Sequence, residues 1–130
     1  MNRSGRPVAD LVNFFQLDLA DLMVVYDDLD LVPGSLRIKG FGSAGGHKGM
    51  TDIIEHLGTD RFARLRLGIG QPPAFLDAAD YVLQGIDAGE TRMLEDAVVQ
   101  AAKALDMWLQ EDLFAVMNHY NRKQPNYEQT

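Results

Sequence analysis

The sequence contains no cysteine, which excludes a disulfide framework and any thiolate metal site. No apolar run approaches the roughly 20 residues a membrane-spanning helix needs, so no membrane partner is expected. Histidine is scarce, with three in 130 residues. A metal site from Asp27, Asp30 and His47 is chemically conceivable, but no pair among them has metal-ligand spacing, and no metal is expected. There is no G-x-S-x-G elbow for a Ser/His/Asp hydrolase. Lys48 is followed by Gly49 and not by Ser or Thr, so a Walker phosphate loop fails as well. Excess positive charge is also lacking: the formal net charge is −7, which at first sight argues against a nucleic-acid partner.

What is present suits one soluble globular domain with a modest core: 46% of residues are hydrophobic and 24% charged. Absence of cysteine fits a cytoplasmic home. The charge is unevenly spread. Residues 1–70 hold eight Lys/Arg and nine Asp/Glu, whereas residues 71–130 hold four and ten. Between 35 and 70, six basic residues (Arg37, Lys39, Lys48, Arg61, Arg64, Arg66) face three acidic ones. A basic face survives there despite the acidic total.

That stretch is centred on Gly40 to Gly49, "GFGSAGGHKG", in which five of ten residues are glycine. Before it, Ser35 to Lys39 alternates polar and apolar like a half-buried strand. After it, Met50, Ile53, Ile54 and Leu57 fall at i, i+3, i+4 and i+7, a helical stripe that stops at Gly58. Strand, glycine loop and helix start together suit a phosphate or a developing oxyanion, because glycine admits close backbone approach and a helix start offers free N–H groups. Gly40, Gly42 and Gly45 spell G-x-G-x-x-G, but an alternating strand precedes them where a dinucleotide site has a buried apolar one. The alternative is a tight turn that binds nothing.

Elsewhere, Val8, Leu11, Val12 and Phe15 mark a first helix, with Ser4 a plausible N-cap. Leu22 to Tyr26 is a continuous apolar run, as in a strand covered on both faces. It ends in Asp27, Asp28 and Asp30. Strand carboxyl ends collect ligands in α/β sheets, so Asp27 is a candidate, while Asp28 and Asp30 fit a solvated turn. Since Asp27 and the glycine loop each follow a strand, they are expected on one rim. Arg61 to Ile69 reads as a further strand, with Ala63, Leu65, Leu67 and Ile69 on one face and Arg64, Arg66 and Gly68 on the other, suited to a phosphate or to solvent. Phe75 to Leu83 looks helical. A long helix from Ala88 to Leu109 carries Leu94, Ala97, Ala101, Leu105 and Trp108 as its core side, and a last one covers Asp112 to Asn121. Residues 1–121 read as one domain and 122–130 as a flexible tail.

"MNRSG", "VVYDDLDLVPGSLRIKGFGSAGGHKGMTDIIEHLGT" and "FARLRLGIGQP" resemble, in order and spacing, the bacterial peptidyl-tRNA hydrolases. The resemblance covers residues 1 to about 121. It implies a single α/β domain with a mixed central sheet flanked by helices. The implied activity is hydrolysis of the ester between peptide and tRNA, recycling tRNA from aborted translation without metal or cofactor. Peptidyl-tRNA is the implied partner. Asp27 corresponds to the aspartate that orients and polarises a catalytic histidine. Asn2 and His47 correspond to residues that contact the peptide part, and Lys39 and Arg66 to the basic pair on the tRNA 5′-phosphate. Lys48 stands where the common motif has asparagine; its ammonium donates hydrogen bonds but cannot accept them. The family's catalytic histidine lies in an N-terminal segment, with its strand, that precedes the matched residues. The resemblance therefore implies a truncated form, weakly active or inactive alone, with an exposed sheet edge. A monomer is expected if complete and edge-mediated association if truncated. A non-catalytic tRNA-binding module is the alternative.

Overall fold

The computed structural model describes residues 3–70 and 88–121. In chain order these form α1 (Gly5–Phe14), a 3-10 turn (Leu19–Asp21), β1 (Met23–Asp28), β2 (Leu36–Lys39), α2 (Lys48–Leu57), β3 (Ala63–Gly68), α3 (Ala88–Gln110) and α4 (Leu113–Asn121). Asn2, the helix expected over Phe75 to Leu83 and the tail from Arg122 lie outside the described residues. The strands pair in the order β1-β3-β2. Ile69 N–H donates to the Asp28 carbonyl, so β1 and β3 end together and run parallel. Gly68 N–H donates to Ser35 and Gly34 N–H to Gly68, which sets the start of β2 beside the end of β3, antiparallel. The fold is thus α/β with a mixed sheet, as the resemblance implies. β1 and β2 consequently run in opposite directions. In a mixed sheet a common rim for Asp27 and the glycine loop does not follow from each succeeding a strand, and that expectation rests on the family resemblance.

Contacts divide the chain into two compact units, Met1–Val24 with Lys39–Arg64, and Val25–Ile38 with Leu65–Thr130. In the first, α1 packs on α2. Ser4 takes the N-cap position of α1 but its side chain makes no capping hydrogen bond. Asp52 of α2 does that work from across the helix pair, its Oδ2 accepting from Gly5 N–H at 2.7 Å. The approach is so close that a Cβ on Gly5 would collide with the Asp52 carbonyl oxygen and His56 Nδ1, which is why glycine follows Ser4. Asp52→Ala should therefore destabilise the protein by about 1 kcal/mol, the usual cost of a lost cap, with Asp52→Asn losing less because its amide oxygen still accepts. Urea denaturation of the three proteins checks this, and equal midpoints would remove Asp52 as the cap. The core side of α1 is narrower than its apolar spacing suggests. Val12 is buried, but Leu11 and Phe15 are 56% and 61% exposed. On α2, Met50 and Ile53 are fully buried. Gly58 ends that helix at φ 75°, a left-handed residue whose N–H closes on Ile54 at 2.9 Å.

In the second unit, α3 buries alanine: Ala97, Ala101 and Ala104, at i, i+4 and i+7, let α4 pack against it. The larger residues expected as core there, Leu94, Leu105 and Trp108, are half-buried at the margins. Val116 and Tyr120 are the buried residues of α4. Its last residue, Asn121, pairs with the β2 backbone through its side-chain amide. Ile38 N–H donates to Asn121 Oδ1 at 2.9 Å, and Asn121 Nδ2 donates to the Ile38 carbonyl at 2.8 Å. Since β2 lies at the end of the strand order, this amide satisfies the backbone groups that an edge strand leaves open.

β1 departs from its sequence expectation. Val24 and Tyr26 are buried but Val25 is 43% exposed, so the run alternates and is not covered on both faces. Among the described residues, the face carrying Val24 and Tyr26 is the one that is closed.

Candidate functional site

The glycine loop in the first unit is shaped by backbone conformation. Gly45 and Gly46 have φ of 59° and 86°, the left-handed region closed to most side chains. Two such residues in succession turn the chain so that His47 N–H meets the Ala44 carbonyl at 3.1 Å. His47 then becomes the N-cap of α2. Its Nδ1 accepts from Met50 N–H at 3.1 Å, and its carbonyl accepts from Thr51 N–H and the Thr51 hydroxyl. With Nδ1 accepting from the helix backbone, that nitrogen is occupied and is not open to act as a base. Lys48 is the exposed first residue of α2, where its backbone joins the free N–H groups of the helix start. The cap was legible only as a histidine directly before the helical stripe, a residue type outside the usual capping set.

Arg64 was expected on a face suited to phosphate or solvent; it is neither. It is 1% exposed, and its guanidinium is spent on the backbone of its own unit. Nη1 donates to Gly42 at 2.6 Å and approaches Ser43 at 3.4 Å, Nη2 donates to Asp60, and Nε reaches the Phe62 carbonyl at 3.4 Å. The cation also lies 4.6 Å from the Phe62 ring centroid. Arg64 therefore ties the first turn of the glycine loop, Gly42 and Ser43, to the segment entering β3. Gly68, on the same strand face, is likewise a packing residue: the Val32 carbonyl occupies the place of its missing side chain.

In the second unit the acidic end of β1 is a built feature. Asp28 was expected in a solvated turn, yet its side chain is only 15% exposed and both its oxygens are engaged. Oδ2 accepts from Arg66 Nη1 at 2.9 Å and Oδ1 from Asp30 N–H at 2.8 Å. The physical reason is register, since parallel pairing sets the end of β1 beside the end of β3 and brings the two side chains to one face. Asp27 points the other way, on the face of Val25, and is half-buried. Arg66 is 22% exposed along its side chain, and its Nε is buried without a hydrogen-bond partner. Lys39, closing β2, is exposed.

Of the candidates, Lys39, His47 and Lys48 belong to the first unit and Asp27 and Arg66 to the second; Asn2 is outside the described residues. The contact the sequence did not anticipate is Asp28 with Arg66. Among the described residues no group of three or more His, Asp or Glu side chains could hold a metal ion, and no helix is long and apolar enough to cross a membrane.

A family model described as peptidyl-tRNA hydrolase matches residues 1–128. The peptidyl-tRNA hydrolase of Syntrophomonas wolfei is 47% identical over 121 residues, covering 93% of this chain and 65% of that protein. That of Chloroflexus aurantiacus is 49% identical over 122 residues, with the same two coverages. Among solved structures, peptidyl-tRNA hydrolase from Acinetobacter baumannii superimposes with a TM-score of 0.84 at 33% identity, covering 93% of this chain and 61% of that one. The chain thus spans somewhat less than two thirds of the length of these relatives. Glycine loop, acidic strand end and arginine strand all fall inside the matched span, and by that agreement the chain belongs to the peptidyl-tRNA hydrolase family.

Proposed function

We propose that the protein hydrolyses the ester between peptide and tRNA in peptidyl-tRNA, recycling the tRNA. The observation that carries this is the family match over residues 1–128. Water adds to the ester carbonyl carbon, the negative charge on its oxygen is met by hydrogen-bond donors, and the ribose oxygen leaves as a hydroxyl, giving a peptide carboxylate. In this scheme Asp27 orients and polarises the imidazole that serves as general base. Asn2, His47 and Lys48 face the peptide part, and Lys39 and Arg66 hold the 5′-phosphate. His47 suits a binding role better than that of a base because its Nδ1 is already filled by Met50 N–H. Lys48 in place of the family's asparagine supplies a charged donor and, while protonated, no acceptor.

The same filled Nδ1 favours a second proposal for the chain by itself, a tRNA-binding module without turnover, since that nitrogen of His47 is not open to act as a base. The two separate on one measurement. Native protein is mixed with peptidyl-tRNA, and released tRNA and bound tRNA are followed together. Release supports the hydrolase and binding without release the module; neither would remove both.

The phosphate assignment has its own check. Lys39→Ala with Arg66→Ala should weaken tRNA binding and flatten its salt dependence by roughly two phosphate contacts, because fewer counterions are released. An unchanged slope would take both residues out of the assignment.

A further inference from the structure

We infer that Asp28 is a positioning residue for phosphate recognition, one that holds Arg66 in the orientation that grips the tRNA 5′-phosphate. The inference rests on the peptidyl-tRNA assignment and adds a residue that reads, along the chain, as part of a solvated turn. Its basis lies within one unit. Asp28 Oδ2 accepts from Arg66 Nη1 at 2.9 Å, and Asp28 Oδ1 is itself fixed by Asp30 N–H at 2.8 Å. The Asp28 carbonyl accepts from Ile69 N–H at 3.0 Å, just past the end of the strand that carries Arg66. Both partners of the pair are therefore anchored through backbone as well as side chain.

A guanidinium has donors along more than one edge. With Nη1 committed to Asp28, the remaining fork is Nε with Nη2. Nε is buried and has no hydrogen-bond partner, an unusual state for a buried donor. Arg66 makes no hydrogen bond through Nη2 among the described residues, while its side chain keeps 22% of its surface. The end left for a ligand is thus Nη2, aimed by a carboxylate that cannot itself rotate away. An unrestrained arginine would have to give up side-chain freedom on binding, and the Asp28 anchor removes most of that cost beforehand. Strand alternation places Asp28 and Asp27 on opposite faces of β1. One strand end then carries the phosphate-side support on one face and the proposed partner of the catalytic imidazole on the other.

The opposite effect is also physically available, because a carboxylate beside an arginine lowers the local positive potential and disfavours a phosphate. The experiment decides between anchoring and damping. Binding of the native protein is measured for two tRNA acceptor minihelices, identical except for a 5′-phosphate or a 5′-hydroxyl. The wild-type ratio of affinities is expected at about tenfold, the size of one charge-assisted hydrogen bond. Arg66→Ala should lower the ratio to the part that Lys39 alone supplies. Asp28→Ala should bring it most of the way down, Asp28→Asn should restore much of it because the amide oxygen still accepts from Nη1, and the double alanine variant should lose nothing more. Affinity for the 5′-hydroxyl minihelix, which a misfolded variant would lose, should stay near wild type throughout. A ratio that rises in Asp28→Ala, or one that falls only in Arg66→Ala, overturns the role of Asp28 and leaves the phosphate assignment standing. A ratio unaffected by Arg66→Ala overturns the phosphate assignment and the role of Asp28 with it.

Discussion

Asp27→Asn should lower the rate of peptidyl-tRNA hydrolysis by the native protein by about 10²–10⁴-fold, the contribution typical of a positioned acid–base group. The proposed role of this carboxylate is to hold an imidazole in the correct tautomer and to stabilise the cation that forms when it takes a proton from water. Asparagine matches its shape but carries no charge, and its amide can present a donor where an acceptor is needed. Because the aspartate does not hold the nucleic acid, tRNA affinity should stay nearly constant, so the loss belongs in kcat. Side-chain direction supports this separation. Asp27 lies on the face of Val25, and the Asp28 pair with Arg66 lies on the other, so the substitution leaves the phosphate support in place. Single-turnover kinetics with tRNA binding measured in parallel is the check. A variant that keeps its rate, or loses rate and tRNA binding together, would remove Asp27 from the proposed chemistry.

The second large effect is on stability. Arg64→Met should destabilise the protein by about 2–4 kcal/mol, because several buried carbonyls lose their donors at once. The residue is 1% exposed and donates to backbone carbonyls at Gly42, Asp60 and Phe62. Methionine fills most of the volume but leaves those acceptors without donors, each at a cost of about 1–3 kcal/mol where water cannot replace it. Arg64→Lys keeps the charge, but a single ammonium cannot span carbonyls that a planar fork reaches from several nitrogens, so only part of the loss should be recovered. Urea denaturation gives the numbers. Amide exchange should also show the segment around Gly42 and Ser43 opening more readily than α2 in the variant. A loss well under 1 kcal/mol would mean that the buried guanidinium is not what holds the loop.

Much of this architecture can be read along the chain because it depends on neighbours in sequence. The stripe from Met50 to Leu57 with Gly58 behind it is a local pattern; the helix begins at Lys48, two residues ahead of the stripe, and stops where the stripe does. The alternation of Leu36 to Lys39 likewise appears as a half-buried strand. Five glycines between them announce a loop of special conformation, and Gly45 and Gly46 adopt the left-handed angles that justify them. Family membership is legible for the same reason: it rests on residue identities in order, and those need no coordinates.

Relations between distant residues needed the tertiary structure. That Arg64 is buried while Arg66, two residues on along the same strand face, keeps part of its surface cannot follow from alternation, which treats them alike; carbonyls from 42 and 60 decide it. That Asp28 grips Arg66 depends on parallel pairing of β1 with β3, a choice no local pattern encodes. The cap of α1 comes from Asp52 and not from Ser4, and the open edge of β2 is closed by an asparagine 83 positions away. Periodicity sets which face of an element is apolar, because side-chain direction repeats along a single helix or strand. Which polar group meets which is set by the packing of whole elements, and there a buried donor or acceptor takes the partner that the fold brings within reach.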